Sequence, residues 1–328
     1  MKKVISLLMT LMITTNIYAV TKVNGAGATF PYPMYSKWFS EYNKLNKDVQ
    51  FNYQSIGSGG GIRQLIKQTV DFGASDAPMK ERDIKKAAWP VKHIPTVLGA
   101  VSVAFHLETV KELKLDGTTL ASIFLGEISK WNDERIQKLN PKTKLPNADI
   151  LVVRRADGSG TTSIFSDYLS TVSKKWEAAV GRGKSLKWPV GIGSKGNEGV
   201  TATVKQTEGA IGYVELAYAL KNNLPTVALK NRAGEFQKAS VEGVSLSAAS
   251  LKEGAKVTSS IVDAAGKGVY PISAFTYILL PVKEETTQLK EVKKFLNWAL
   301  TDGQSMTKEL HYAPLPKTLA KRMLEQIK

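Results

Sequence analysis

The 328-residue chain has no cysteine. Disulfides and thiolate metal sites are therefore excluded, and so is the thiol by which a bacterial lipoprotein carries its lipid. Histidine is scarce. His93, His106 and His311 are the full set, stand in unrelated contexts and read as structural, so no metal centre is expected. Acid is short as well, with 29 Asp and Glu against 45 Lys and Arg, for a formal charge of +16. No stretch of about 20 apolar residues supplies a membrane-spanning helix. No serine sits in a GxSxG elbow, and Asp71-Phe72-Gly73 copies a kinase triplet without its HRD or APE partners. The nucleophile or metal cluster of a phosphatase is missing, and the chain reads as no enzyme.

What remains is an apolar fraction of 43%, enough for substantial cores, and a length that suits about two domains. Residues 1–19 run from a Met-Lys-Lys start through a short apolar segment to Ala19, the pattern of a secretory signal peptide. The mature chain is then expected in a bacterial periplasm, soluble and free of a lipid anchor. The basic balance fits nucleic acid, an anionic membrane surface, small anions, or simply a solvated basic face. Export from the cytosol argues against nucleic acid.

Beta-like runs, glycine-rich turns and helical segments alternate along the chain, which predicts α/β architecture. Three joints share one design. In VNGAGATFPYP, residues 23–33, small residues lead into a helix with Met34, Trp38, Tyr42 and Leu45 in register. In FNYQSIGSGGGIRQLIKQTV, residues 51–70, five Gly and Ser residues precede a helix whose face runs from Ile62 to Val70, with Ser58 as its cap or as an outward hydroxyl. In RRADGSGTTSI, residues 154–164, two arginines and an aspartate stand between a strand at 150–153 and a helix at 161–172. Each joint presents a helix N-terminus, whose first N–H groups lack internal partners and carry partial positive charge. Glycine lets another molecule reach that backbone, and Ser or Thr adds a donor. Together these features predict an anion site.

Arginine supplies a fork of donors suited to a tetrahedral oxyanion. Strand alternation turns Arg155 and Arg154 to opposite faces, and Asp157 is placed either to orient Arg155 or to cap the turn. Asp76, in VDFGASDAPM, looks misplaced beside an anion unless the ligand bears a proton. Phosphate keeps a P–OH near neutral pH. Sulfate does not, and would leave the carboxylate facing a lone pair. Other motifs lead elsewhere. Gly191, Gly193 and Gly196 fit GxGxxG but follow Trp188-Pro189, and read as a turn before a helix. Gly183-Lys184-Ser185 lacks the first glycine of a phosphate loop, since position 178 is alanine.

The segments GAGATFP, YQSIGSGGGI, DFGASDAPM, LGEISKWND, RRADGSGTT and GAIGYVE closely resemble the periplasmic phosphate-binding proteins of bacterial ABC transporters. The likeness runs along nearly the whole chain after residue 19. It implies a two-lobed type II periplasmic binding protein with two mixed-sheet Rossmann-like lobes. Residues 20–95 and 271–328 would form lobe I, residues 96–270 lobe II, and hinge strands would lie near 94–105 and 271–280. It also implies that inorganic phosphate meets Thr29, Phe30, Ser58, Asp76, Arg155, Ser159, Gly160 and Thr161, with Asp157 holding Arg155. No cofactor is implied. The partners would be inner-membrane permease subunits, and the protein would be a monomer. Sulfate or molybdate is the alternative ligand, and a secreted phosphatase or a surface-adhesion protein the alternative class.

Overall fold

The computed structural model describes residues 20–251 and 254–327. The leader read over residues 1–19 lies outside them. Among the described residues eleven strands form in chain order: β1 (Thr21–Gly27), β2 (Val49–Ser55), β3 (Phe72–Ser75), β4 (Val91–Phe105), β5 (Leu113–Leu115), β6 (Leu151–Arg155), β7 (Ile192–Ser194), β8 (Ala210–Glu215), β9 (Val227–Lys230), β10 (Phe236–Gln237) and β11 (Ser273–Pro281). Eight make one mixed sheet in the order β2-β1-β3-β11-β4-β8-β6-β7, and β10-β9-β5 make a small second sheet.

The large sheet has a parallel block at each end. β1 pairs in parallel with β2 and β3, and β6 with β7 and β8. Between them β11 runs antiparallel to both β3 and β4, and β4 runs antiparallel to β8. β4 is the splice. Its first ten residues face β11 and its last five face β8. Twelve consecutive residues from Ile94 to Phe105 are buried, the pattern of a strand covered on both faces. The two expected lobes thus meet in β4, which pairs with β11 in the first block and with β8 in the second.

Helix Tyr32–Leu45 forms as the spacing predicts, with Pro33 in its first turn. It buries Met34, Trp38, Phe39 and Tyr42 against Phe51, Phe72 and Phe295, an aromatic cluster that fixes the first block. Helix Gly160–Val172 packs Phe165 flat on Tyr213 and fixes the second. Two local expectations change. The helix after β2 spans Ser58–Ile66 and ends well short of Val70, because Gln68 takes a left-handed φ of 60°. Strand β6 reaches Arg155 instead of stopping at Val153, so both arginines leave the sheet from regular, alternating positions.

In open α/β sheets ligands gather at the carboxyl ends of strands. Here the ends of the six parallel-paired strands of the large sheet face one region: β1 leads to Thr29, β2 to Ser58, β3 to Asp76, β6 to Asp157, β7 to Asn197 and β8 ends at Glu215.

Candidate functional site

Arg155 is its centre. The side chain is almost fully buried, a position a charge occupies only with partners. Nε donates to Asp157 Oδ1 at 2.7 Å, and Nη2 donates to Oδ2. Nη1 donates to Thr161 Oγ1 at 3.3 Å. Three of five guanidinium hydrogens are thus placed, and two remain to meet an anion. Asp157 also accepts from the Gly196 N–H at 3.1 Å. Burial pushes its carboxyl upward, but the Arg155 hydrogen bonds and charge outweigh burial and hold it below the usual range.

Helix Gly160–Val172 points its N-terminus at this arginine. Ser159 caps it, accepting from the Thr162 N–H at 3.0 Å. That leaves the N–H groups of Gly160 and Thr161 at the helix mouth, without intrahelical partners. Gly160 is required by space: a Cβ there would overlap Asp76 Oδ2 and Ser58 Oγ. On the other side, helix Ser58–Ile66 starts at Ser58 itself, with Gly57 as the preceding cap at φ 84°. The Ser58 hydroxyl is thus not spent on the cap and turns to Asp76 instead, and a Cβ on Gly57 would strike Asp157.

Asp76 is buried. Its Oδ1 accepts from the Thr276 hydroxyl at 2.7 Å and its Oδ2 from Ser58 at 3.2 Å, while its own N–H donates to Ser58 Oγ at 3.1 Å. Burial pushes the carboxyl up to about 7, against the opposing effects of the Thr276 bond, the Arg155 charge and the Ser58 bond. The sequence reading took Asp76 as simply ionised. Its burial makes it a group that trades a proton near neutral pH.

The two blocks touch across this site. The Gly59 N–H donates to the Gly158 carbonyl at 2.7 Å. Asn197 donates to Thr29 Oγ1 through its backbone N–H at 3.2 Å and through Nδ2 at 2.8 Å. Tyr218 donates to the Thr29 carbonyl at 2.7 Å, while within the first block Tyr312 donates to the Phe30 carbonyl at 2.6 Å. Thr29, Phe30, Ser58, Asp76, Arg155, Asp157, Ser159, Gly160 and Thr161 all come together. Arg154 alternates away, with Nη1 near Gly193.

Residues 15–303 match the model of the PBP superfamily domain. A phosphate-binding protein PstS of Xylella fastidiosa (strain Temecula1) is 44% identical over 307 residues, which cover 92% of this chain and 84% of that one. A phosphate-binding protein PstS of Pasteurella multocida is 44% identical over 324 residues, covering 97% and 92%. The chain belongs to the PstS family of phosphate-binding proteins. A solved human phosphate binding apolipoprotein shares the fold at a TM-score of 0.75 and 20% identity, covering 92% of this chain and 93% of that one.

In this PstS-family chain the sequence missed four partners: Thr276, Asn197, Tyr218 and Tyr312. Only Asn197 left a local trace. The Gly191, Gly193 and Gly196 motif is indeed a turn before a helix, but it is a fourth strand-turn-helix joint, and helix Gly196–Gln206 opens onto the site. The histidines lie elsewhere. His93 accepts from the Met79 N–H at 3.0 Å, and His106 faces Glu208 at 3.7 Å. Among the described residues no group of three or more His, Cys, Asp or Glu is placed to hold a metal, and no helix is long and apolar enough to cross a membrane.

Proposed function

We propose that this chain binds inorganic phosphate between two lobes and delivers it to the membrane permease of an ABC transporter, with no catalytic turnover. The observation that carries the reading is the pairing of Arg155, clamped by Asp157 with two hydrogens left over, with Asp76, a buried carboxyl pushed up to about 7. The arginine and the helix N-termini favour an oxyanion. The aspartate requires that one proton lie between itself and the ligand. Monohydrogen phosphate beside ionised Asp76 carries that proton on its P–OH, with the carboxylate as its acceptor. Thr29, Phe30, Ser58, Ser159, Gly160 and Thr161 supply the remaining donors.

In this reading lobe I comprises residues 20–95 and 271–328 and lobe II residues 96–270, with β4 and β11 as the crossings. The bonds across the cleft belong to the closed form, which the permease would read. The protein works as a soluble monomer in the periplasm, released there by the signal peptide at residues 1–19.

Equilibrium dialysis with labelled phosphate tests the reading. Saturable uptake of one phosphate per chain, resistant to excess sulfate at pH 8, is the expected result. Absence of uptake, or release of phosphate from an aryl phosphate, would overturn it.

A further inference from the structure

We infer that Asn197 sets the direction of the hydroxyl protons in the site, and so dictates which ligand oxygen carries hydrogen. The inference deepens the phosphate reading and rests on it.

Asn197 is fully buried at the start of helix Gly196–Gln206. Its Oδ1 accepts from the backbone N–H of Glu215 at 2.9 Å. A backbone N–H can only donate, so the orientation of the amide is decided: Nδ2 must face the other way. There Nδ2 lies 2.8 Å from Thr29 Oγ1 and 3.1 Å from Thr161 Oγ1, and its two hydrogens serve one each. A threonine hydroxyl has two lone pairs and one hydrogen. Thr29 Oγ1 takes a second bond from the Asn197 backbone N–H, and Thr161 Oγ1 a second from Arg155 Nη1. Both lone pairs of both oxygens are then occupied, and each hydroxyl hydrogen is left to point away from its donors, into the site.

The consequence is chemical. On this wall an incoming ligand meets hydrogens alone, and must offer bare oxygens to them. A P–OH turned toward Thr29 or Thr161 would set hydrogen against hydrogen. Asp76, in the first block and across from Asn197, is the acceptor available for the ligand's proton. Asn197 thus fixes the rotational register of the phosphate. It also ties that register to closure, since Thr29 precedes β4 and Asn197 follows it: with the blocks apart, the Thr29 hydroxyl is free to turn.

Asn197 is a positioning residue, so its effect must pass through the two hydroxyls. Phosphate affinity by titration calorimetry in a double-mutant cycle reads this. Asn197→Ala should weaken binding at least tenfold in the otherwise unaltered chain. In a Thr29→Val, Thr161→Val background the same change should cost less than threefold. Equal losses in the two backgrounds would overturn the inference, because a purely structural role would be felt in both. Should the alanine variant not fold, Asn197→Asp keeps the acceptor for Glu215 but gives both hydroxyls an oxygen to donate to. It should weaken phosphate at least a hundredfold, and an affinity within threefold of the parent would equally overturn the inference. If the unaltered chain binds no phosphate, the phosphate reading itself fails, and that is seen before any variant is compared.

Discussion

The inner wall of the cleft and its rim handle charge in opposite ways. Inside, Arg155 is buried and locked to Asp157 by two hydrogen bonds. At the rim, beside the seam where Gly59 meets Gly158, a cavity of about 510 Å³ is lined by Arg63, Lys80, Arg82, Lys86, Arg182 and Lys184 with a single acid, Asp83. Arg82 lies 3.7 Å from Asp83, and Arg182 pairs with Asp167 and Glu177. Among the described residues the other four form no ion pair. The inner charge is held still and discriminates by geometry. The rim cations are mostly exposed to solvent and act at a distance. Such a division separates how tightly an anion is kept from how quickly it arrives.

The largest expected effect breaks the inner side. Arg155→Ala removes a buried charged donor and strands Asp157, and should cost about 2–5 kcal/mol of phosphate binding, the range for truncating a buried charge pair. Calorimetry should show it as weaker affinity, and a loss below tenfold would move Arg155 out of the site.

Next comes selectivity. Sulfate brings no proton, so it must find Asp76 already protonated. Above the Asp76 pKa of about 7, sulfate affinity should fall about tenfold per pH unit; below it, the affinity should level off. Asp76→Asn should flatten that profile and admit sulfate better. A parent protein whose sulfate binding ignores pH would contradict this assignment.

The same carboxyl predicts a stability trend in the ligand-free protein. Its folded pKa lies above the unfolded value near 3.8, so the folded chain holds the proton longer. Stability is then fully present below about pH 4 and declines as pH rises to about 7, by up to about 4 kcal/mol. Urea unfolding at pH 4.5 and 7.5 should show this decline in the parent relative to Asp76→Asn, and parallel curves would refute it. Thr276→Val, which removes the hydrogen bond to Oδ1, should weaken phosphate binding by about 1 kcal/mol.

The smallest effect sharpens the outer side. Lys80→Glu with Lys86→Glu should slow phosphate association several-fold at low salt and leave dissociation unchanged. The difference should vanish near 1 M salt, where the screening length is about 3 Å. Stopped-flow rates that shift equally on and off would erase the contrast between rim and wall.

The parts of the site that were readable in the sequence are those made by local chain. Glycine and hydroxyl residues next to a strand end announce a helix mouth wherever they occur, and Asp157 lies two residues from the arginine it clamps. The rest is assembled from afar. Thr276 meets Asp76 across 200 residues, and Tyr312 meets Phe30 across 282. No spacing encodes such pairs, because the sheet order that creates them inserts β11 between β3 and β4. The exact point at which β4 passes from one block to the other was hidden for the same reason. An apolar run of the β4 type looks alike whether it serves one sheet or splices two.

That insertion also bears on how the protein comes into being. The slot between β3 and β4 is filled by residues 273–281, which leave the ribosome after every other strand of the sheet. Until then the first block has an unpaired edge on β3, and the Phe30 carbonyl has no Tyr312 to meet it. A nascent chain of this design stays unfinished, and so threadable, for most of its length, and it gains its grip on an anion only once its tail has arrived.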